Sequence, residues 1–177
     1  DIPVKLKALG GFGSAFPKFS GKVEYLAELN GRILLAKQME SGMWSNGFDE
    51  KEDIYSTCMS ALALMAINGG RYKGAVEKAF EAVLELKNKG DDTLFLSYRT
   101  LFVGEYYLRH RDKRALPLLE EAVDKISNEY SNHNGIYSYA RVLNHQGYSY
   151  TGSNFYTAHA SLALAVAKHC GVSIPQS

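Results

Sequence analysis

From residue 20 onward, apolar side chains return at spacings of three and four, and the segments 20–41, 53–68, 71–89, 93–110, 112–130 and 154–170 each carry the pattern of an α-helix. The six segments predict three helical hairpins. Segment 71–89 sets Tyr72, Val76, Phe80, Val83 and Leu86 on one face and Lys73, Glu77, Lys78, Glu81 and Glu85 on another, as a half-exposed helix should. Segment 112–130 repeats this with Leu116, Leu119, Val123 and Ile126. By contrast, Cys58–Ile67 and Ala158–Ala167 are apolar or small nearly all round, which predicts burial on several sides. Outer helices therefore alternate with inner ones.

An internal repeat supports this order. Sliding the chain by 40 residues lays Ala75, Glu81, Ala82, Val83 and Asn88 on Ala115, Glu121, Ala122, Val123 and Asn128, and lays Tyr55, Leu62 and Ala63 on Phe95, Phe102 and Val103. The third inner helix follows at 60, with Phe155, Leu162 and Ala163, so the extra length falls in 131–153. The expected fold class is all-α: tandem hairpins of inner and outer helices over 20–177, forming part of an α/α toroid. A tetratricopeptide-like α-solenoid is the alternative, although its 34-residue period fits less well. Residues 1–19 read as a strand remnant and linker, with Val4, Leu6 and Ala8 alternating before Gly10, Gly11, Gly13 and Pro17. A closed ring takes more helices than six, so it is completed by the remainder of a longer chain or by a second copy, or it stays open.

Composition narrows the partners. A net charge of +1 with interspersed signs leaves no basic field for nucleic acid. The longest apolar run, Ala61–Ile67, is far short of the roughly 20 residues a membrane span takes, so a soluble domain is expected. The chain opens on Asp1 without a leader pattern, which suits a cleaved precursor, a trimmed chain or a fragment of a longer polypeptide. Cys58 and Cys170 fall near opposite ends of parallel helices, on the order of 16 Å apart along the axis, beyond disulfide reach. Free thiols are expected.

A family resemblance accompanies these patterns. The run Leu6-Lys-Ala-Leu-Gly10, the run Tyr98–Leu108 with Asp112 and Leu116-Pro117, the pair Gly147-Tyr148 and the closing Ala163–Val172 resemble an uncharacterised family of large bacterial proteins. In that family a PDZ-like module precedes an α/α-toroid domain. The resemblance implies a fold and a secreted or periplasmic setting, and no activity.

Helix alternation brings the loops 42–52, 88–92 and 131–153 to one end, together with the N-termini of the inner helices. This mouth is aromatic and polar, with Trp44, Asn46, Tyr137, Tyr139, Arg141, Tyr148, Tyr150 and Asn154 as candidate ligand-binding residues for a glycan or peptide. The competing expectation is a loop that buries its own tyrosines, with Trp44 as a plug between hairpins. The same alignment, at 40 residues and then at 60, also matches Met59, Arg99 and His159 on the inner helices. Arg99, His145, Tyr148 and His159 are thus candidates for proton abstraction beside a carboxylate, as in toroidal polysaccharide lyases. Against that stand an ordinary ion pair for Arg99, with Glu105 or a carboxylate of the next repeat, and an ordinary carbonyl contact for His159.

Metal and cofactor signals are absent from the sequence. His169-Cys170 has no Cys-x-x-Cys or His-Glu-x-x-His companion, and the acids of Asp49–Asp53 suit a helix start. Gly10-Gly-Phe-Gly13 is not followed by a phosphate-loop helix. The expected function is a non-catalytic binding or scaffold domain, with a glycan-active enzyme domain as the alternative.

Overall fold

The computed structural model describes residues 20–47, 50–67, 70–85, 92–128, 130–131, 136–137 and 154–175, and side chains from 23, 53 and 155 in the first, second and last helices. Residues 1–19, expected to be a strand remnant and linker, lie outside them. Six helices follow in order: α1 (Ser20–Lys37), α2 (Glu50–Ala66), α3 (Lys73–Glu85), α4 (Thr93–His110), α5 (Ala115–Asn128) and α6 (Asn154–His169). Between α5 and α6, β1 (Tyr130–Ser131) and β2 (Ile136–Tyr137) pair antiparallel, Tyr130 opposite Tyr137. The protein is all-α, built of helical hairpins.

The inner helices α2, α4 and α6 lie side by side with α4 in the middle. They run parallel. Near their starts Tyr55 meets Tyr98, and Tyr98 meets His159. Near their ends Arg109 of α4 donates to the Met65 carbonyl at 2.6 Å, and the Cys170 thiol points to the Gly104 carbonyl at 3.6 Å. Gly104 is required there, because a Cβ would collide with the branched side chain of Val166. The small side chains Ala160, Ala163 and Ala167 likewise let α6 sit close on its neighbours.

The outer helices cover one side of this layer. Their repeat is real at the level of packing: Ala75, Ala79, Ala82 and Val83 of α3 are buried, as are Ala115, Leu119, Ala122 and Val123 of α5, 40 positions on. Phe80 stacks on Tyr106 of α4 with centroids 3.9 Å apart. Phe80, Leu96, Phe102, Leu119 and Ile126 are all essentially fully buried, each worth about 1.5–3 kcal/mol on transfer from water. Helix α1 joins through Gly31, whose missing side chain makes room for the Tyr72 ring, and through Gln38, which donates to the Ala75 carbonyl at 2.8 Å.

Local chemistry sets the ends. Asp92 caps α4 by accepting the Phe95 N–H at 2.8 Å, and α4 closes on Arg111 in the left-handed region at φ 57°. Helix α5 starts at Ala115, three residues later than its apolar pattern suggests. Asp112 holds the preceding turn by accepting from the Arg114 backbone at 3.0 Å and from its guanidinium at 2.6 Å.

Cys58 and Cys170 are free and buried, as expected. Burial pushes the Cys58 thiol up to about 12, opposed by the nearby Arg99 charge. Native protein at pH 8 should therefore leave Cys58 unlabelled by a thiol reagent, whereas denaturation without reductant should release two reactive groups. Rapid native labelling of Cys58, or a denatured count of none, would contradict this helix arrangement. Among the described residues no helix is long and apolar enough to cross a membrane.

Candidate functional site

The inner layer has a second side that the outer helices do not cover. Along α2 it carries Tyr55 and Met59, along α4 Tyr98 and Leu101, and along α6 Phe155, His159 and Leu162. Tyr55 is 36% exposed, Met59 39%, Phe155 53% and Leu162 54%, so this face is open and apolar. The all-round apolar pattern of α2 and α6 predicts burial there. Those helices are instead buried against their neighbours and open on one stripe, and Leu162 belongs to the stripe rather than to the core.

An aromatic cluster occupies the end of this face nearest the inner-helix starts. Tyr55 stands edge-on to Tyr98 at 4.7 Å between centroids, His159 lies 5.0 Å from Tyr98, and Phe155 lies 4.3 Å from His159. One imidazole nitrogen, Nδ1, is 2.7 Å from the Phe155 carbonyl oxygen, which only accepts, so Nδ1 carries the proton. The other, Nε2, is then the acceptor in the neutral ring, and the Tyr98 hydroxyl donates to it across 2.7 Å. Desolvation and the neighbouring Tyr55 phenol push Tyr98 up to about 12, which keeps it protonated at neutral pH. The result is a fixed donor chain within an aromatic surface.

Arg99 is not part of it. Its side chain is buried on the opposite side of α4, where Nη2 lies 3.7 Å from Glu121 of α5, a carboxylate that also holds Lys125 at 2.9 Å. The cause is a one-residue register difference. Buried and open positions on α2 and α4 correspond at an offset of 39, so Met59 matches Tyr98, and those on α4 and α6 correspond at 61, so Tyr98 matches His159. A slide of 40, which fits the outer helices, turns the comparison by about 100° on a 3.6-residue helix and puts Arg99 in the place of Tyr98. The signal that finds Tyr98 is the separate periodicity of the inner helices.

Trp44 is also withdrawn from the mouth. It is 4% exposed, its indole N–H donates to the Leu34 carbonyl at 2.7 Å, and its backbone N–H donates to Thr57 Oγ1 at 2.9 Å. It plugs the junction of α1 and α2. Asn46 is exposed and its backbone N–H donates to Asp53 at 3.0 Å, so the described part of the first loop is tied to the start of α2. Asn154 opens α6 and Tyr137 lies in β2, which rests against α6. Tyr139, Arg141, His145, Tyr148 and Tyr150 lie outside the described residues.

Fold and site together define an all-α protein of tandem helical hairpins with an aromatic surface at one end of its inner layer. A family profile for a domain of unknown function, DUF6288, matches residues 30–177, and the chain belongs to that family. No curated protein and no solved structure matches it.

Proposed function

We propose that this chain is a non-catalytic binding or scaffold domain of a larger bacterial protein. Its inner-helix face, at the end of the inner-helix starts, receives a glycan or peptide. The observation that carries this reading is the open stripe of Tyr55, Met59, Phe155 and Leu162 around the Tyr98–His159 hydrogen bond. Rings flanked by hydroxyl and imidazole groups stack on a pyranose and bond its hydroxyls, which makes a glycan the first ligand to test. In a toroid of paired helices the same stripe would line the lumen, completed by the remainder of the chain or by a second copy. The likeness to large bacterial proteins with a PDZ-like module is consistent with a scaffold role.

One observation favours a second reading, a glycan-active domain that abstracts a proton beside a carboxylate. Tyr98 and His159 are joined as an acid and a base would be. Against it, Arg99 is engaged with Glu121 on the far side of α4, and His159 Nδ1 is oriented by a carbonyl rather than a carboxylate.

A glycan array with a thermal melt tests the binding reading on the wild type, Phe155→Ala and Tyr98→Phe. We expect retained glycan to fall at least tenfold in Phe155→Ala while stability changes by less than about 1 kcal/mol, as for exposed contacts. A peptide library answering where the array is silent would change the ligand class. A loss of about 2 kcal/mol or more with no ligand in either screen would mean that the stripe is packing surface. Turnover of uronate-containing glycans that disappears in Tyr98→Phe would favour the enzyme.

A further inference from the structure

The opposite end of the bundle holds a separate cavity of about 320 Å³, between the last turns of α2 and α4 and the start of α3. Its size suits a small organic molecule. Leu64, Met65 and Val76 form its apolar floor, all of them buried, and Lys73, Arg109 and His110 stand at its edge. Among the described residues no carboxylate lines it. A pocket walled by three nitrogen bases over an aliphatic floor has the chemistry of an amphiphilic anion site.

Two further features point the same way. The first turn of α3 has no acidic residue, although the positive end of a helix normally attracts one. Lys73 stands there instead, while Arg71 just before it is paired with Glu28 of α1, so it is Lys73 that adds positive potential to a helix start that an anion would neutralise. The two cations at the rim, Lys73 and Arg109, keep only loose carboxylate partners. Lys73 lies 3.5 Å from Glu77 and Arg109 3.8 Å from Glu105, both pairs well exposed, so each contributes little and yields readily to a better acceptor. Arg109 itself is anchored by its 2.6 Å bond to the Met65 carbonyl, which fixes one cation at the rim before any ligand arrives.

We propose that this cavity binds a small monocarboxylate, its carboxylate held by Lys73 and Arg109 and its short aliphatic or aromatic tail laid on Leu64, Met65 and Val76. The site is independent of the aromatic face at the other end. The reading predicts selectivity for a charge and a tail together. An anion without a tail forgoes the floor, and a neutral isostere forgoes the rim.

Calorimetric titration of the whole chain with benzoate, benzamide and inorganic phosphate tests it. Benzoate should bind saturably, at least tenfold more tightly than either control. Lys73→Gln should weaken benzoate at least tenfold with the melting temperature little changed, since the exposed pair with Glu77 that it removes contributes little. Arg109→Gln gives a second check, and Phe155→Ala, at the far end, should bind benzoate as the wild type does. Equal affinity for benzamide, wild-type affinity in both rim variants, or no saturable benzoate binding would overturn the proposal.

Discussion

Replacing Trp44 by alanine is expected to lower stability by about 3–5 kcal/mol, the range for truncating a large buried aromatic. The ring is 4% exposed and lies between α1 and α2. Its indole N–H bonds the carbonyl of Leu34, inside the last turn of α1, where a helix leaves carbonyls without backbone partners. The same residue's backbone reaches Thr57 of α2, whose hydroxyl in turn donates to the Asp53 carbonyl at 2.7 Å. Alanine would open a void and orphan the Leu34 carbonyl together. Trp44→Phe should recover most of the packing and still lose about 1–3 kcal/mol for that unmet acceptor. Urea unfolding followed by circular dichroism reads both. A loss under about 1 kcal/mol for alanine would return Trp44 to the surface, as a residue available to a ligand.

The second large effect is expected at Arg99, a guanidinium that is 1% exposed in the middle of the helix layer. Arg99→Ala should cost about 2–5 kcal/mol through the cavity it leaves and the support it withdraws from Glu121. Arg99→Met should regain most of that, because an apolar side chain of similar length fills the volume without the desolvation that a buried cation demands. Glycan binding at the aromatic face should be the same in Arg99→Met as in the wild type. An Arg99→Ala protein that melts normally and loses ligand would place Arg99 at the binding surface after all.

The residues involved explain what the sequence made legible. Helices α3 and α5 each carry one apolar stripe and one charged one, so solvent writes their orientation into the pattern, and the buried sets around Phe80 and Leu119 follow from it. The inner helices carry a weaker record. Tyr55, Met59 and Leu162 are as apolar as the core yet stand exposed, and polarity alone does not separate an open aromatic face from a buried one. For the same reason a slide fitted to the outer helices passed over Tyr98 and selected Arg99, one residue away and on the other side of α4. Trp44 carries the same ambiguity: an aromatic among polar loop residues suits a ligand as well as a plug, and only the Leu34 carbonyl within reach of its indole distinguishes them. The common direction of the inner helices was legible, because alternation along the chain fixes it.

The open inner face is tested most directly by hydroxyl-radical footprinting of the whole chain, read by mass spectrometry with and without the glycan mixture. Met59 and Met65 lie on one helix and serve as an internal pair, 39% and 7% exposed. The account predicts rapid oxidation of Tyr55, Met59 and Phe155 in the free protein, slow oxidation of Met65 and Phe102, and protection of the first three when glycan is bound. Equal protection of Met59 and Met65 in the free protein would contradict the open face, and unchanged oxidation at saturating ligand would contradict its role in binding.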